Sequence, residues 1–423
     1  MTENKKNSYA LPIAVMYLLF FSISFVTNLA GSMGVIVTNQ FGASKALSQL
    51  GSLANFIAYA CMGIPGGLIL KRKGYKFTAS LAVIIGLAGL AIQFTSGYAE
   101  SFLVYVIGAF VAGFSMCLLN IVVNPMLNTL GGGGNRGNKL IQYGGTCSSI
   151  GGTLAPYFVG FLIGKSITDA TVQKAAPVMI TAMAIFAFAF IVIALTDIPE
   201  PHMETAEEKA ARKSGLAKKD PCGPLSFRHF VLGAIAIFFY TGIEISIPNT
   251  ANVHFSGLED VGPAITGTFI GLFNICMLIG RLCGAGVGSK ISSRNMLLYT
   301  SIVAIILIVC AIFTPESVKI AFGKGSAPIS LLFLALCGFC TSVMWGSIFN
   351  LSVEGLGKYT ATASGIFMTL VCGGGIIPFV QNAVADKVGS LNSYWILVFG
   401  LGYLIFYALI GSKNVNTKTS QEL

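Results

Sequence analysis

The sequence predicts an all-α integral membrane protein: twelve transmembrane helices in two pseudo-symmetric six-helix domains. Three observations predict it. Of 423 residues, 54% are hydrophobic and only 10% charged, where a soluble domain carries about 25% charged residues. The apolar residues lie in long unbroken runs, which excludes a β-barrel, whose strands alternate over about 10 residues. The basic residues gather on alternate loops.

Twelve runs are long enough to cross a bilayer: 10–37, 46–70, 77–97, 102–130, 140–164, 176–196, 230–254, 262–287, 295–314, 327–352, 360–384 and 391–411. The first is too long for a signal-peptide core and lacks a clear cleavage site, so it is expected to remain in the protein. Twelve spans put both termini on one side. With the termini in the cytoplasm, 20 Lys and Arg fall inside and 6 outside. The positive-inside rule therefore predicts cytoplasmic termini; the expected location is a plasma membrane, of the bacterial inner type. The same asymmetry explains the net charge of +10 through anionic lipid headgroups, with no nucleic-acid partner.

The longest polar stretch, 197–228, is read as a cytoplasmic linker between a domain at 1–196 and another at 229–423. Within it, Glu204 to Lys219 predicts a short surface helix with Glu208 and Arg212 as an i,i+4 pair. The flanking domains resemble each other. Asn124 precedes Leu130-Gly131 as Asn350 precedes Leu356-Gly357, an offset of 226. Gly151-Gly152 precedes Pro156 as Gly374-Gly375 precedes Pro378. Internal duplication with a site between the halves is a common transporter plan.

The polar residues inside the spans are the candidate site. Span one carries Asn28. Span four carries Asn120, Asn124 and Asn128 every four residues, one stripe on a helix, beside Pro125. Amides are costly in hydrocarbon, so the stripe either bonds a neighbouring helix or lines a wet cavity. Three stacked amides favour the cavity. Span five opens with Gln142, and its Gly144, Gly145, Gly151 and Gly152 leave room beside the backbone for a helix or a ligand. Span seven holds Glu244, the one acid deep inside a span; the other 15 lie in loops, tails or span ends. A lone intramembrane carboxylate takes a proton or pairs with a cation, and so can bind a coupling ion. Pro248, four residues on, predicts a kink or break in that helix.

Span eight carries Asn274 and, towards its cytoplasmic end, Arg281, read as structural. Span ten carries Trp345 and Asn350. Trp395 sits where an interfacial belt residue belongs, but Trp345 is mid-span, where it either packs in the core or stacks on a ligand. Cys337 and Cys340 form C-x-x-C within an apolar span, where small apolar packing is expected rather than redox chemistry. His202, His229 and His254 are spread along the chain, so neither a metal site nor a cofactor is expected, and an enzyme's cluster of nucleophile and base is missing.

The candidate lining is rich in amides, hydroxyls and aromatics but poor in charge. Amides donate and accept at once, which suits a neutral polyhydroxylated solute. The expected substrate-binding set is Asn28, Asn120, Asn124, Gln142, Glu244, Asn274, Trp345 and Asn350, with Glu244 also the ion-coupling residue.

Several motifs add a resemblance. They are Gly67-Leu-Ile-Leu-Lys71-Arg72-Lys73-Gly74-Tyr75-Lys76 after span two, Asn124-Pro125, Tyr240-Thr-Gly-Ile-Glu244 and Gly280-Arg281. Trp345-Gly-Ser-Ile-Phe-Asn350 with Glu354-Gly-Leu-Gly357-Lys358-Tyr359 completes them. On these the chain resembles the major facilitator superfamily, most of all its fucose–galactose–glucose:proton symporter family. The resemblance implies two six-helix domains rocking around a central sugar site. Three positions depart from it. Lys71 stands where the superfamily loop motif usually has an acid. The fucose-type symporter carries acids in spans one and four, where this chain has Gly31 and Asn120. The expectation is a cation-coupled transporter of a hexose-type sugar, acting as a monomer, with a proton or sodium ion as coupling ion. The alternatives are an uncoupled facilitator, a carrier of another small polar solute, or a non-transporting membrane sensor.

Overall fold

The computed structural model describes residues 9–41, 50–163, 171–172, 175–214, 223–256, 258, 261–288, 290–322 and 325–415. The chain is helical almost throughout. The first half holds α1 (Ala10–Phe41), α2 (Leu50–Thr95), α3 (Phe102–Leu130), α4 (Gly134–Ile163) and α5 (Ala176–Leu195). A short α6 (Ala206–Lys213) follows in the linker. The second half holds α7 (Arg228–Ser256), α8 (Gly262–Val287), α9 (Ser293–Phe313), α10 (Ile329–Thr341) and α11 (Met344–Val353). It ends with α12 (Thr360–Thr369), α13 (Gly373–Val388), α14 (Ser390–Ser393) and α15 (Trp395–Phe406).

Among the described residues, ten helical stretches are long and apolar enough to cross a membrane. One of them, Leu53–Thr95, holds spans two and three. The fifth span is α4, several of whose side chains after Ala155 lie outside the described ones. These helices account for the twelve passes of a multi-pass membrane protein. Phe161, Leu195, Phe379 and Phe399 stand on the outside, more than 70% exposed, as side chains facing lipid would. Phe186, Phe230, Phe349, Phe367 and Tyr407 are fully buried.

The α2 turn is built by one glycine and one distant carboxylate. Gly74 has φ 85° and ψ 178°, where an L side chain is strained. Glu200, beyond α5, accepts from the backbone N–H groups of Tyr75 and of Lys76, the latter at 2.9 Å. It thus caps the helix that restarts after the turn. A Cβ at position 74 would lie 2.3 Å from the Glu200 Oε2. Lys76 Nζ donates to the Ala194 carbonyl at 2.9 Å, Glu204 N to the Lys71 carbonyl at 2.8 Å, and His202 Nδ1 meets the Tyr75 hydroxyl. Burial holds the His202 imidazole down at about 4 and pushes the Glu200 carboxyl above its ordinary value, even though two N–H groups and Lys76 pull the other way.

Several expectations shift. The linker helix spans Ala206–Lys213, shorter than Glu204 to Lys219; Lys218, Lys219 and Cys222 lie outside the described residues. Glu208 is a capping-box acid: it accepts from Thr205 N at 2.9 Å, and Thr205 Oγ1 accepts from Glu208 N at 3.2 Å. The side chain of Arg212 lies outside the described ones. No break occurs at Pro248; α7 runs helical from Arg228 to Ser256. Breaks occur instead in spans ten and eleven, without a proline at either. Span ten turns at Ser342–Val343, and span eleven passes through a 3₁₀ turn at Leu370–Cys372 before Gly373-Gly374-Gly375. An unanticipated hairpin, β1 (Lys319–Phe322) with β2 (Gly325–Pro328), joins α9 to α10.

The halves meet along two seams. In one, α2 lies on α12 and α13, glycine against glycine. A Cβ on Gly63 would be 2.6 Å from the Gly365 carbonyl, and one on Gly67 would be 2.9 Å from the Gly365 Cα. In the other, α4 lies on α8, with Gly288 close to Lys139 at the end that carries the basic loops.

Candidate functional site

The amide stripe of α3 runs along the surface between the halves. Asn120, Asn124 and Asn128 are all buried. Asn120 Nδ2 donates to the Tyr59 hydroxyl at 2.9 Å and to the Met116 carbonyl at 3.0 Å. Asn124 Nδ2 donates to the Asn120 carbonyl at 2.9 Å, leaving its Oδ1 to accept from the Trp345 indole at 3.0 Å. Asn128 Nδ2 donates to Asn350 Oδ1 at 2.7 Å, and Asn350 Nδ2 donates to Ser293 Oγ at 2.9 Å. These contacts are of the helix-bonding kind. Each amide donates, and the lower two donate or accept across to the second half.

Gln142 joins the same surface. Its Nε2 donates to the Val343 carbonyl at 2.9 Å, at the turn that breaks span ten. Trp345 follows that turn by two residues. The indole ring lies edge-on to Tyr240 and to Phe367, each with ring centres 6.2 Å away. Five of the expected residues, Asn120, Asn124, Gln142, Trp345 and Asn350, thus lie on one junction. Asn28 is exposed on α1 and donates to the Ser24 carbonyl at 2.9 Å. It also fits against the bare backbone of Gly152 in α4. Asn274 is exposed on α8, seven residues before Arg281 and so on the same face of the helix.

Glu244 is not alone. Its Oε1 lies 3.4 Å from Arg281 Nη2, so the carboxylate expected to stand alone has a cationic partner. The two side chains are 18% and 13% exposed, mostly shielded yet reachable. Arg281 Nη1 also crosses to the first half, donating to Ser149 Oγ at 2.6 Å and to the Gly145 carbonyl at 3.0 Å. Gly145 permits this approach: a Cβ there would sit 3.2 Å from the Arg281 Cδ. Tyr240, one helical turn before Glu244, is buried within electrostatic range of both charges, and its hydroxyl lacks an aligned hydrogen-bond partner.

Sequence reading missed Tyr59, Tyr240, Ser149 and Arg281 as parts of this junction. For Arg281 a signal existed. A guanidinium that far inside an apolar run needs a counter-ion, and Glu244 is the acid at membrane depth.

The model of the Major Facilitator Superfamily matches residues 15–379. A glucose/galactose transporter of Brucella abortus is 28% identical over 418 residues, 98% of this chain and 97% of that one. The L-fucose-proton symporter of Escherichia coli K12 is 22% identical, over 92% of this chain and 90% of that protein. The crystal structure of the E. coli fucose:proton symporter FucP superposes with a TM-score of 0.78 at 20% identity, covering 96% of this chain and 100% of that one. With the family model covering most of its length and the fold matching end to end, the chain belongs to the major facilitator superfamily.

Proposed function

We propose that this chain takes up a neutral hexose-type sugar by alternating access, coupled to a cation. The observation that carries the reading is the junction itself: buried amides and an indole from both halves, next to one carboxylate–guanidinium pair. Amide groups that bond one another across the junction can exchange those bonds for sugar hydroxyls as the halves part. In this reading Asn120, Asn124, Gln142, Trp345 and Asn350 contact the sugar, and Asn28 and Asn274 complete the lining from α1 and α8. The relatives named glucose/galactose transporter and L-fucose-proton symporter support a hexose and a proton. Glu244 takes the coupling ion, because Asn120 cannot ionise.

The finer organisation belongs to the same proposal. Domains 1–196 and 229–423 rock about the junction, joined by 197–228. The face carrying the basic loops, and with it both termini, is cytoplasmic in a bacterial inner membrane, as the 20-to-6 asymmetry supports. The carrier works as a monomer.

Uptake of labelled glucose, galactose and fucose into proteoliposomes tests this, with and without an imposed proton or sodium gradient. Accumulation of one hexose above equilibrium under a gradient is expected. Equilibration without accumulation would make the protein an uncoupled facilitator, the second reading, which the amide at Asn120 favours. No hexose uptake at all would overturn the sugar assignment.

A further inference from the structure

We propose that Arg281 is the coupling element of this carrier, a clasp between the halves whose hold depends on the charge of Glu244. This rests on the reading of Glu244 as the ion-coupling acid. The geometry makes the guanidinium two-ended. One nitrogen faces Glu244 on α7 of the same half; the other grips Ser149 and Gly145 on α4 of the opposite half. The charged and titratable groups acting on Glu244 are Arg281 from α8 and Tyr240 from its own helix.

An ionised Glu244 neutralises Arg281 where it sits and orients it towards α4. When Glu244 takes a proton, the guanidinium is left as a shielded charge with neutral partners only, which is costly at this depth. That cost is relieved when α4 and α8 separate and water reaches the side chain. The α4–α8 seam closes the basic face, where Gly288 nearly touches Lys139. Protonation therefore opens that face. A proton captured from the opposite side favours opening towards the basic side, the direction that uptake by symport needs.

No acid of the first half is required. The proton site and its cation both lie on the second half, and among the described residues the groups bonded to them across the seam are neutral acceptors, a hydroxyl and a carbonyl. The Arg281–Ser149 bond is thus free to break without leaving a buried charge on α4.

The test is the distance between spin labels at Arg136 and Lys290, exposed residues flanking the Lys139–Gly288 contact. Full-length protein in nanodiscs is labelled on a cysteine-free background that retains sugar exchange. In the parent, acidification should raise the fraction with long distances. Glu244→Gln should raise it roughly fivefold at neutral pH and abolish the response to acid. Ser149→Ala should raise it by a smaller factor and keep that response. Arg281→Gln should match Glu244→Gln, and the Ser149→Ala result decides if that variant does not fold. An acid response that persists in Glu244→Gln overturns the dependence on its charge. A parent-like distribution in Ser149→Ala, with or without Arg281→Gln, overturns the clasp. Failure of the underlying reading shows separately, as gradient-driven accumulation that persists in Glu244→Gln while the labels respond as expected.

Discussion

Two glutamates in this protein are held in opposite ways. Glu244 sits between the halves against a cation, and that cation has a second grip on the other half. Glu200 sits at the start of the linker against the first half, held by two backbone N–H groups at a helix start. Backbone donors are fixed in place, so Glu200 locks a turn. A guanidinium on a flexible stem can move away, so Glu244 can belong to a switch. In the proposed mechanism the partner, more than the carboxylate, separates an acid that locks a turn from one that couples.

Exchanging each acid for its amide breaks the comparison most sharply. Glu244→Gln should reduce gradient-driven sugar accumulation to the equilibrium level while exchange across proteoliposomes continues. Glu200→Gln should leave accumulation intact and lower thermal stability by about 1 kcal/mol, read from unfolding midpoints in detergent. Accumulation lost in both, or in neither, would erase the distinction.

Gly74→Ala probes the locked turn more severely. It forces a side chain into a positive-φ position already filled by Glu200. A loss of about 2–4 kcal/mol is expected, measured by thermal unfolding. A Tm equal to that of the parent would mean that the turn is not locked.

On the other side of the comparison, Asn124→Ala removes the acceptor of the Trp345 indole. Sugar affinity should weaken by roughly 1–3 kcal/mol in equilibrium binding. Unchanged affinity in a folded protein would return the amide stripe to helix packing.

The smallest effect concerns pH. His202 is neutral in the fold, with its pKa held at about 4 against 6.5 unfolded. Its depressed value means that the unfolded chain binds the proton first. Stability is therefore lost as pH falls from about 6.5 towards 4. His202→Gln should flatten the Tm–pH curve over that window. An unaltered curve would place the acid sensitivity elsewhere.

The sequence made the broad architecture legible because hydrocarbon is a demanding solvent: runs without charge must span, and basic loops choose a side. It also made Glu244 conspicuous. It did not reveal Arg281 as its partner, since 37 residues and a whole helix hairpin separate them. The break in span ten escaped for a different reason. Local signals pointed to Pro248, yet α7 stays helical there, while the turn at Ser342–Val343 is secured from the other half by Gln142. The Asn128–Asn350 bond likewise depends on how the halves dock. Glu200 read as an ordinary loop acid because its two donors lie more than 120 residues upstream.

The glycine seam between α2 and α12 bears on how such a chain can evolve. Any single-base change in a glycine codon that alters the residue adds a side chain. At Gly63, Gly67 and Gly365 even a methyl group would meet opposing backbone at 2.5 to 2.9 Å. Neutral drift is therefore closed at these three positions, and no rotamer change opposite can make room. If the junction holds the sugar as proposed, substrate preference can diverge through its amides and aromatics, where one side chain exchanges for another. The close seam between the halves has to be inherited intact.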